Sequence, residues 1–423
     1  MSGGPVVRIP WGAWVLEETR ELPLPSGWVV EEASIRGGPA GMDLATALAN
    51  PVEAPPIEEL ARGKRTAAIA VEDITRPAKA GQVLEAVLDR LAAGGIPPRN
   101  VRVIVALGGH LPLRRDELLA KLGPRVLEEC DVWNHHPYED LVDLGVSRGG
   151  IPIHVNRLFH EAEVRLAVGS VVPHPYAGFG GGGKIVLPGI AGIETLEMNH
   201  RPAVTGLSGA GLGVVEGNRA RAEMEEIALA AGLQAVVNIV PGPRREAVGH
   251  VYGHPVAAHR VAVELARQVF DTPVNPGADA VVLNAYPKDM ELLQVGNAFN
   301  AWRTLDPPPA REGGTVIVTA ACPFGRGWHS LHGPRMRLYR DPVERPYLAG
   351  RELVVYAPTL SEHDVRKSFW TGYPHARSWE EVVAILERRH PGGGRMVVFP
   401  TAPLALARPR RGPGEDPETG GTR

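Results

Sequence analysis

Short apolar runs of strand length alternate with amphipathic stretches along most of this chain. TAAIAV (66–71) is such a run. The loop EDITRPAKAG follows it, and QVLEAVLDRLAAGGI (82–96) places apolar residues at helical spacing and stops at glycine. VRVIVALGG (101–109) repeats the strand, LPLRRDELLAKLG repeats the helix, and VRLAVGSVV (164–172) is a third strand. After a glycine-rich stretch, AGIETLEMNHRP reads as a short helix capped near His200. NRARAEMEEIALAAGL (218–233) is a helix, LQAVVNIV (233–240) a strand and HPVAAHRVAVELARQVF (254–270) a long helix. Before all of these, residues 6–18 and 28–33 read as strands broken by Pro and Gly turns. The alternation predicts an α/β protein with a mostly parallel sheet covered by helices.

DTPVNPGA reads as a linker, and a second alternating series follows it. Its strands are ADAVVLNAY (278–286), TVIVTAA (315–321), ELVVYAP (352–358) and RMVVFP (395–400). Its helices are MELLQVGNAFNAWRTL, SEHDVRKSFW and SWEEVVAILERRH. The expected organisation is therefore two α/β domains, 1–272 and 273–401, with the active site in the cleft between them. Residues 402–423, rich in Pro, Arg and Gly, are expected to be a disordered tail.

Composition narrows the function. A formal net charge of -3 over 423 residues implies no basic face for nucleic acid. Two cysteines, Cys130 and Cys322, exclude a disulfide framework and an all-cysteine metal site, and suit the cytoplasm. No signal peptide is recognisable in MSGGPVVRIPWG, and no apolar run is long enough to span a membrane. Lysine is scarce, which draws attention to Lys184 and Lys288.

The candidate chemistry concentrates in SVVPHPYAGFGGGGKIVLPGIAGIETLEMNHRP (170–202). Four successive glycines, Gly180, Gly181, Gly182 and Gly183, weaken any regular element, so they read as bare backbone N–H groups able to close on a phosphate. GFGGGGK has the letters of a P-loop, but Ile185 replaces the magnesium-binding hydroxyl and Pro188 would break the receiving helix, so kinase-type or ATPase chemistry is poorly supported. In an open parallel sheet, ligands sit beyond the carboxyl ends of strands. Asp73 and Arg76 follow one strand, His110 a second, and the loop with His174 and Lys184 a third. Asp73 and Arg76 make either an ion pair that fixes the DITRP turn or a guanidinium aimed at a substrate carboxylate. His135 and His136 are weighed as metal ligands against a bond to a neighbouring loop, and the loop bond is favoured. Lys288, at a strand end in YPKDMELLQ, is either solvated or part of a site.

DITRP, GGHLPL, VPHPYAGFGGGGKIVLPG, the NHRP ending at 202, and YPKD in the second half resemble the nickel-pincer nucleotide lactate racemase family, over about residues 60–400. The resemblance implies a racemase or epimerase of a 2-hydroxy acid using a pyridinium mononucleotide that carries nickel. Lys184 would hold that cofactor through a thioamide, with Asp73 and the glycine loop beside it. His200 would be the nickel ligand, and His110 and His174 the acid/base pair. Arg76 would bind the substrate carboxylate, with Tyr286, Lys288, Gln294 and Trp370 as further candidates at the substrate. Cofactor-making and nickel-insertion proteins are the implied partners, and the oligomeric state stays open. GGH stands where GTH is usual in the family, which removes a hydroxyl beside His110. Two other readings remain at this stage. One is a non-redox acid/base enzyme acting on a phosphorylated small molecule at the glycine loop. The other is a nucleotide or cofactor carrier without catalysis.

Overall fold

The computed structural model describes residues 3–205, 209–367, 369 and 372–410, and for 202–205 the backbone alone. Trp370, expected at the substrate, lies outside the described residues. The chain divides into two compact units. The larger comprises Gly37–Val269 and Gly327–Asp341. The smaller comprises the residues up to Arg36, Phe270–Arg326, and the chain from Pro342 onward.

In the larger unit six strands form one sheet in the order Ala247–Gly253, Ala235–Pro241, Val164–Ser170, Ala67–Glu72, Val101–Ala106, Asp131–Asn134. All neighbours are parallel except Ala247–Gly253 against Ala235–Pro241. Ala67–Glu72 is buried along its whole length, as expected of a central strand covered on both faces. Its register sets Ala70 beside Ile104 on one side and Ala167 on the other. Helix Gly81–Ala93 turns Val83, Leu84, Val87, Leu88 and Leu91 inward. Helix Ala257–Val269 buries Ala258, His259, Ala262, Val263, Ala266 and Val269 at the same periodicity. Because the strands Val164–Ser170, Ala67–Glu72 and Val101–Ala106 are adjacent and parallel, the segments leaving their carboxyl ends emerge side by side.

The smaller unit has its own six-stranded sheet in the order His375–Ala376, Glu352–Tyr356, Ala310–Thr319, Ala278–Asn284, Gly394–Phe399, Trp28–Glu32, with every pair parallel. Alternate residues of each strand feed two separate cores. Val281, Leu283, Val316, Val318 and Phe399 pack on one face, and Ala280, Val282, Ile317, Met396 and Val398 on the other. The hairpin Val6–Trp11 with Glu18–Pro23 adds Val7, Ile9, Trp11 and Leu22 to the second core.

Four expectations change. Residues up to Arg36 belong to the smaller unit, because Trp28–Glu32 pairs with Gly394–Phe399 and Glu31 holds Arg395 at 3.1 Å. Gly327–Asp341, expected in the second domain, belongs to the larger unit. The segment 290–305 is three short turns, Leu292–Val295, Gly296–Phe299 and Asn300–Arg303. Gly296 is a weak helix former there, and Asn300 donates to the Pro403 carbonyl at 2.9 Å. The tail is ordered in its first part. Leu406–Pro409 pairs in parallel with Asp271–Val274, and Arg408 bonds Asp271 at 2.7 Å.

Candidate active site

The site begins at the end of Ala67–Glu72. Glu72 is buried, and its Oε2 accepts from the backbone N–H and the hydroxyl of Ser170, at 2.6 and 2.8 Å. Its Oε1 accepts from Lys121 Nζ at 3.0 Å, and Lys121 also donates to the Ala78 carbonyl at 2.7 Å. Burial pulls the Lys121 ammonium below its ordinary pKa, and Glu72 opposes that shift. This buried network ties the turn carrying Arg76 to the strand end that leads to His174.

Asp73 and His110 are the next layer. Asp73 Oδ1 accepts from the Thr75 backbone at 3.1 Å and from the Thr75 hydroxyl at 2.6 Å. Asp73 Oδ2 takes a short hydrogen bond from His110 Nδ1. Burial opposes ionisation of Asp73, but the His110 and Arg76 charges and the hydrogen bonds prevail and hold its carboxyl well below the ordinary carboxylate range. With Nδ1–H given to Asp73, the uncharged form of the His110 ring carries its lone pair on Nε2. Arg76 Nη1 donates to the Thr75 hydroxyl at 2.8 Å, so Asp73 reaches Arg76 through Thr75. Asp73 was expected at the cofactor. Both of its oxygens take hydrogen bonds from protein, Oδ1 from Thr75 and Oδ2 from His110.

His174 is held differently. Its Nδ1 accepts from the backbone N–H groups of Tyr176 and Ala177, both at 3.2 Å, so its proton sits on Nε2. His200 was expected to cap a short helix but lies within the 13-residue helix Ile193–Thr205. Its Nδ1 donates to the Leu196 carbonyl at 2.8 Å, which leaves Nε2 as the ring's electron-pair donor. Burial pushes His200 down to about 3, aided by the charge of His332 and opposed by the Leu196 carbonyl.

The glycine run is closely packed. A Cβ at Gly180 would stand 2.6 Å from the Ser170 carbonyl, at Gly181 2.7 Å from Asn238 Oδ1, at Gly182 2.9 Å from the His259 ring, and at Gly183 2.9 Å from the Met224 carbonyl. Part of the backbone is also engaged. Gly180 N–H donates to the Val172 carbonyl, Gly182 N–H to Asn238, and Lys184 N–H to the Gly181 carbonyl. The glycines therefore admit crowding neighbours. Arg221 and His259 bind the run's carbonyls, and Lys184 leaves from the single turn Gly182–Ile185 with its side chain buried.

Six rings make one continuous chain of contacts: His110 to His329 at 5.1 Å, His329 to His332 at 4.8 Å, His332 to His200 at 6.1 Å, His200 to Tyr176 at 5.8 Å, and Tyr176 to His174 at 5.9 Å. Lys184 lies close enough to His200 for its charge to be felt there.

Residues 17–212, which include Asp73, Arg76, His110, His174, Lys184 and His200, match the family described as the lactate racemase N-terminal domain. The lactate racemase of Lactiplantibacillus plantarum is 30% identical over 288 residues, 67% of each chain. The lactate racemase of Thermoanaerobacterium thermosaccharolyticum is 30% identical over 290 residues, 68% of this chain and 67% of the relative. The chain belongs to the lactate racemase family. It is accordingly an isomerase of the racemase type. The lactate racemase apoprotein from T. thermosaccharolyticum has the same fold, with a TM-score of 0.76 at 23% identity over 96% of this chain and 100% of that one. A protein from Thermotoga maritima shares the fold at TM-score 0.65 and 18% identity, over 88% and 99% of the two chains.

Within this lactate racemase homologue, three candidates belong to the smaller unit. Lys288 is buried and donates to Asn297 Oδ1 at 3.4 Å, which removes the solvated reading. Asn297 also donates to Gln294 Oε1 at 3.4 Å, and Tyr286 packs with Ala13 and Met290. His135 bonds the Ala191 carbonyl at 3.0 Å and Asn156 at 3.2 Å, as a loop-fixing histidine does. Three residues were not singled out from the sequence: Thr75, His329 and His332. Thr75 sits inside DITRP, so its hydroxyl was legible. The two histidines, in WHSLHGPR, carry no local signal that places them beside His110. Among the described residues no group of three or more His, Cys, Asp or Glu side chains is arranged to hold a metal, and no helix is long and apolar enough to cross a membrane.

The buried histidines give the fold a predictable response to acid. Burial pushes His135 down to about 4 and His200 to about 3, and holds His259 and His329 well below 6.5. Below pH 6.5 the unfolded chain takes up protons that the folded chain refuses. The stability is complete above 6.5 and is lost as the pH falls toward the folded values. Each such histidine costs at most about 2 kcal/mol between pH 6.5 and 5. Urea unfolding at pH 7 and 5 should show this loss, and His135→Asn should flatten the slope by one histidine's share. A stability that does not change between these pH values would contradict it.

Proposed function

We propose that the protein is a racemase or epimerase of a 2-hydroxy acid, working with a nickel-pincer pyridinium nucleotide joined to Lys184. One observation carries the reading: Asp73-backed His110, His200 and His174 lie on a single chain of ring contacts, and the Lys184 charge is felt at His200. The named relatives act on lactate, which brings in the 2-hydroxy acid class.

The residues fit the cofactor. His200 is buried and uncharged, and its Nδ1–H is held by the Leu196 carbonyl, so Nε2 would offer nickel the electron pair a ligand needs. Lys184 offers a buried amine on a turn that crowded glycines hold rigid, which suits a covalent tether. When bound, the group supplies a reversible hydride acceptor, so that the alcohol carbon can pass through a planar ketone. That route avoids deprotonating a weakly acidic carbon.

The chain's own groups manage the carboxylate and the hydroxyl proton. Arg76 presents a planar fork to the carboxylate. His110 takes the hydroxyl proton at Nε2, and Asp73 stabilises the resulting imidazolium. His174 stands ready with a proton on Nε2, so the two imidazoles start in complementary states.

The test is expression together with the cofactor-making and nickel-insertion enzymes, followed by chiral chromatography of each enantiomer of several 2-hydroxy acids. Conversion in both directions is expected, with an added mass on Lys184 that K184R lacks. Undiminished turnover by protein free of nickel would defeat the reading.

A further inference from the structure

We propose that Arg245 is a positioning residue for substrate binding: through the Pro77 carbonyl it fixes where the Arg76 guanidinium stands. The inference rests on the racemase reading, in which Arg76 takes the carboxylate of the 2-hydroxy acid. It deepens that reading by naming what holds the arginine in place.

Topology brings the two residues together. Ala235–Pro241 runs parallel to Val164–Ser170, which runs parallel to Ala67–Glu72, so the carboxyl ends of all three meet one rim of the sheet. The DITRP turn leaves one of these ends. The hairpin tip at 242–246 leaves another, before the chain returns along Ala247–Gly253. From that tip Arg245 Nε donates to the Pro77 carbonyl at 3.1 Å, 168 residues back in the chain.

The turn leans on donors from outside it. Pro77 has no N–H to give. Arg76 N–H reaches the Asp73 carbonyl at 3.3 Å, which is long for such a bond. Past that point three successive carbonyls meet buried cations. Lys121 Nζ donates to Arg76 at 3.4 Å and to Ala78 at 2.7 Å, and Arg245 takes the carbonyl between them. The side chain of Arg76 is held from its other end, where Nη1 donates to the Thr75 hydroxyl at 2.8 Å. The guanidinium is thus placed both by the backbone it grows from and by the hydroxyl it meets. Removing the Arg245 donor leaves a buried carbonyl to be satisfied anew, and the turn shifts to do so.

Arg245 is unfavourable for the hairpin that carries it. Its φ is +69°, in the left-handed region where glycine is the default and an arginine is strained. It is 2% exposed, whereas Arg244 and Glu246 on either side of it are exposed. Burial strips the guanidinium of hydration, and its like charge is felt at Lys121. The hairpin does not need these costs, because main-chain bonds close it. Gly242 N–H donates to the Glu246 carbonyl at 2.7 Å, and Arg245 N–H to the Gly242 carbonyl at 3.1 Å. The bond to Pro77, next to Arg76, is what the arginine contributes at the site.

Binding and chemistry should separate. The bonds that orient His110, from Thr75 and His110 to Asp73, lie ahead of Pro77 and do not involve Arg245. Displacing the turn weakens the hold on the carboxylate and leaves the proton transfer in place.

The experiment uses the full chain from cells that also make the cofactor. Lactate, 2-hydroxybutanoate and 2,3-dihydroxypropanoate are the probes, since Arg76 meets the carboxylate they share. Arg245→Met should raise KM about tenfold or more for every acid the wild type converts, with kcat within about threefold, the signature of lost uniform binding. Arg245→Gln sets an amide NH₂ as many bonds from Cα as the arginine Nε, without the charge. It should bring KM back to within about threefold of wild type, because the donor to Pro77 is restored. Arg245→Gly removes the donor and relieves the left-handed strain, and it should share the high KM of Arg245→Met. A purely structural role lowers kcat along with the urea midpoint and leaves KM alone. That result overturns the proposal. So does a wild-type KM in Arg245→Gly, or a glutamine variant no better than methionine. Should Arg245→Met fail to fold, the glutamine and glycine variants make the same comparison. If the wild type converts none of the acids, the racemase reading fails and this inference falls with it; conversion with an unchanged KM across the variants removes this inference alone.

Discussion

Asp73→Asn should lower racemisation turnover by about 10³–10⁴-fold while the protein stays folded, as loss of an orienting carboxylate does in other histidine–carboxylate pairs. The reason lies in the donors on the far side of the carboxylate. Thr75 gives Asp73 Oδ1 two hydrogen bonds, from its backbone N–H and its hydroxyl. An asparagine must therefore keep its carbonyl oxygen toward Thr75 and turn its NH₂ toward His110. Nδ1 of His110 then has to accept, the ring proton moves to Nε2, and the ring is blocked at the atom proposed to take the hydroxyl proton. The variant also loses the charge that stabilises the imidazolium. KM for the acid should change little, because Arg76 keeps its contact with Thr75. Nitrogen NMR of the His110 ring should report the exchanged tautomer without reference to activity. Turnover within about tenfold of wild type would mean that Asp73 does not set the protonation of His110, since a wrong tautomer costs far more.

The same pair shows how far the sequence could be read. Asp73, His110 and His174 were legible because each follows a strand of a parallel sheet, and such sheets gather polar loops at one edge. The pairing order, which sets Ala67–Glu72 between Val164–Ser170 and Val101–Ala106, puts those loops side by side. The partnership of Asp73 with His110 rather than Arg76 was not legible, because one residue of loop geometry decides where a carboxylate points. Glycine is ambiguous in sequence: an open anion cradle and a crowded backbone need the same missing side chain. The close neighbours, here Ser170, Asn238, His259 and Met224, come from elsewhere in the chain and leave no mark on the run itself. Distant pairing hid the rest. Trp28–Glu32 finds Gly394–Phe399 across almost the whole chain, and His329 reaches His110 through a segment whose own pattern says only loop. The start of the tail was misjudged by composition, although Leu404, Ala405 and Ala407 are buried where the chain pairs again.

Arg221→Met should destabilise the larger unit by about 3–5 kcal/mol, the range seen when one partner of a buried charged network is removed. Arg221 is 1% exposed, and its guanidinium serves the backbone ahead of Lys184. Nε donates to the Ala177 carbonyl at 3.1 Å and Nη1 to Gly181 at 3.2 Å, while Nη2 binds the Phe179 carbonyl and reaches Gly180 at 3.5 Å. Burial lowers its pKa to about 10 against the pull of Glu225, so it stays charged at neutral pH. Methionine fills the volume but offers no donor, and it strands these carbonyls in a closed interior at about 1–3 kcal/mol for each one left unsatisfied. Lysine keeps the charge, yet its single ammonium cannot reproduce a planar fork that reaches both ends of the loop, so Arg221→Lys should recover only part of the loss. Because the loop positions Lys184, the mass proposed to be added at that residue should fall in step with stability across the two variants. Urea unfolding of the full chain measures the first effect and intact-mass analysis the second. An Arg221→Met protein with the wild-type unfolding midpoint and full loading at Lys184 would show that the glycine run holds its shape by packing alone.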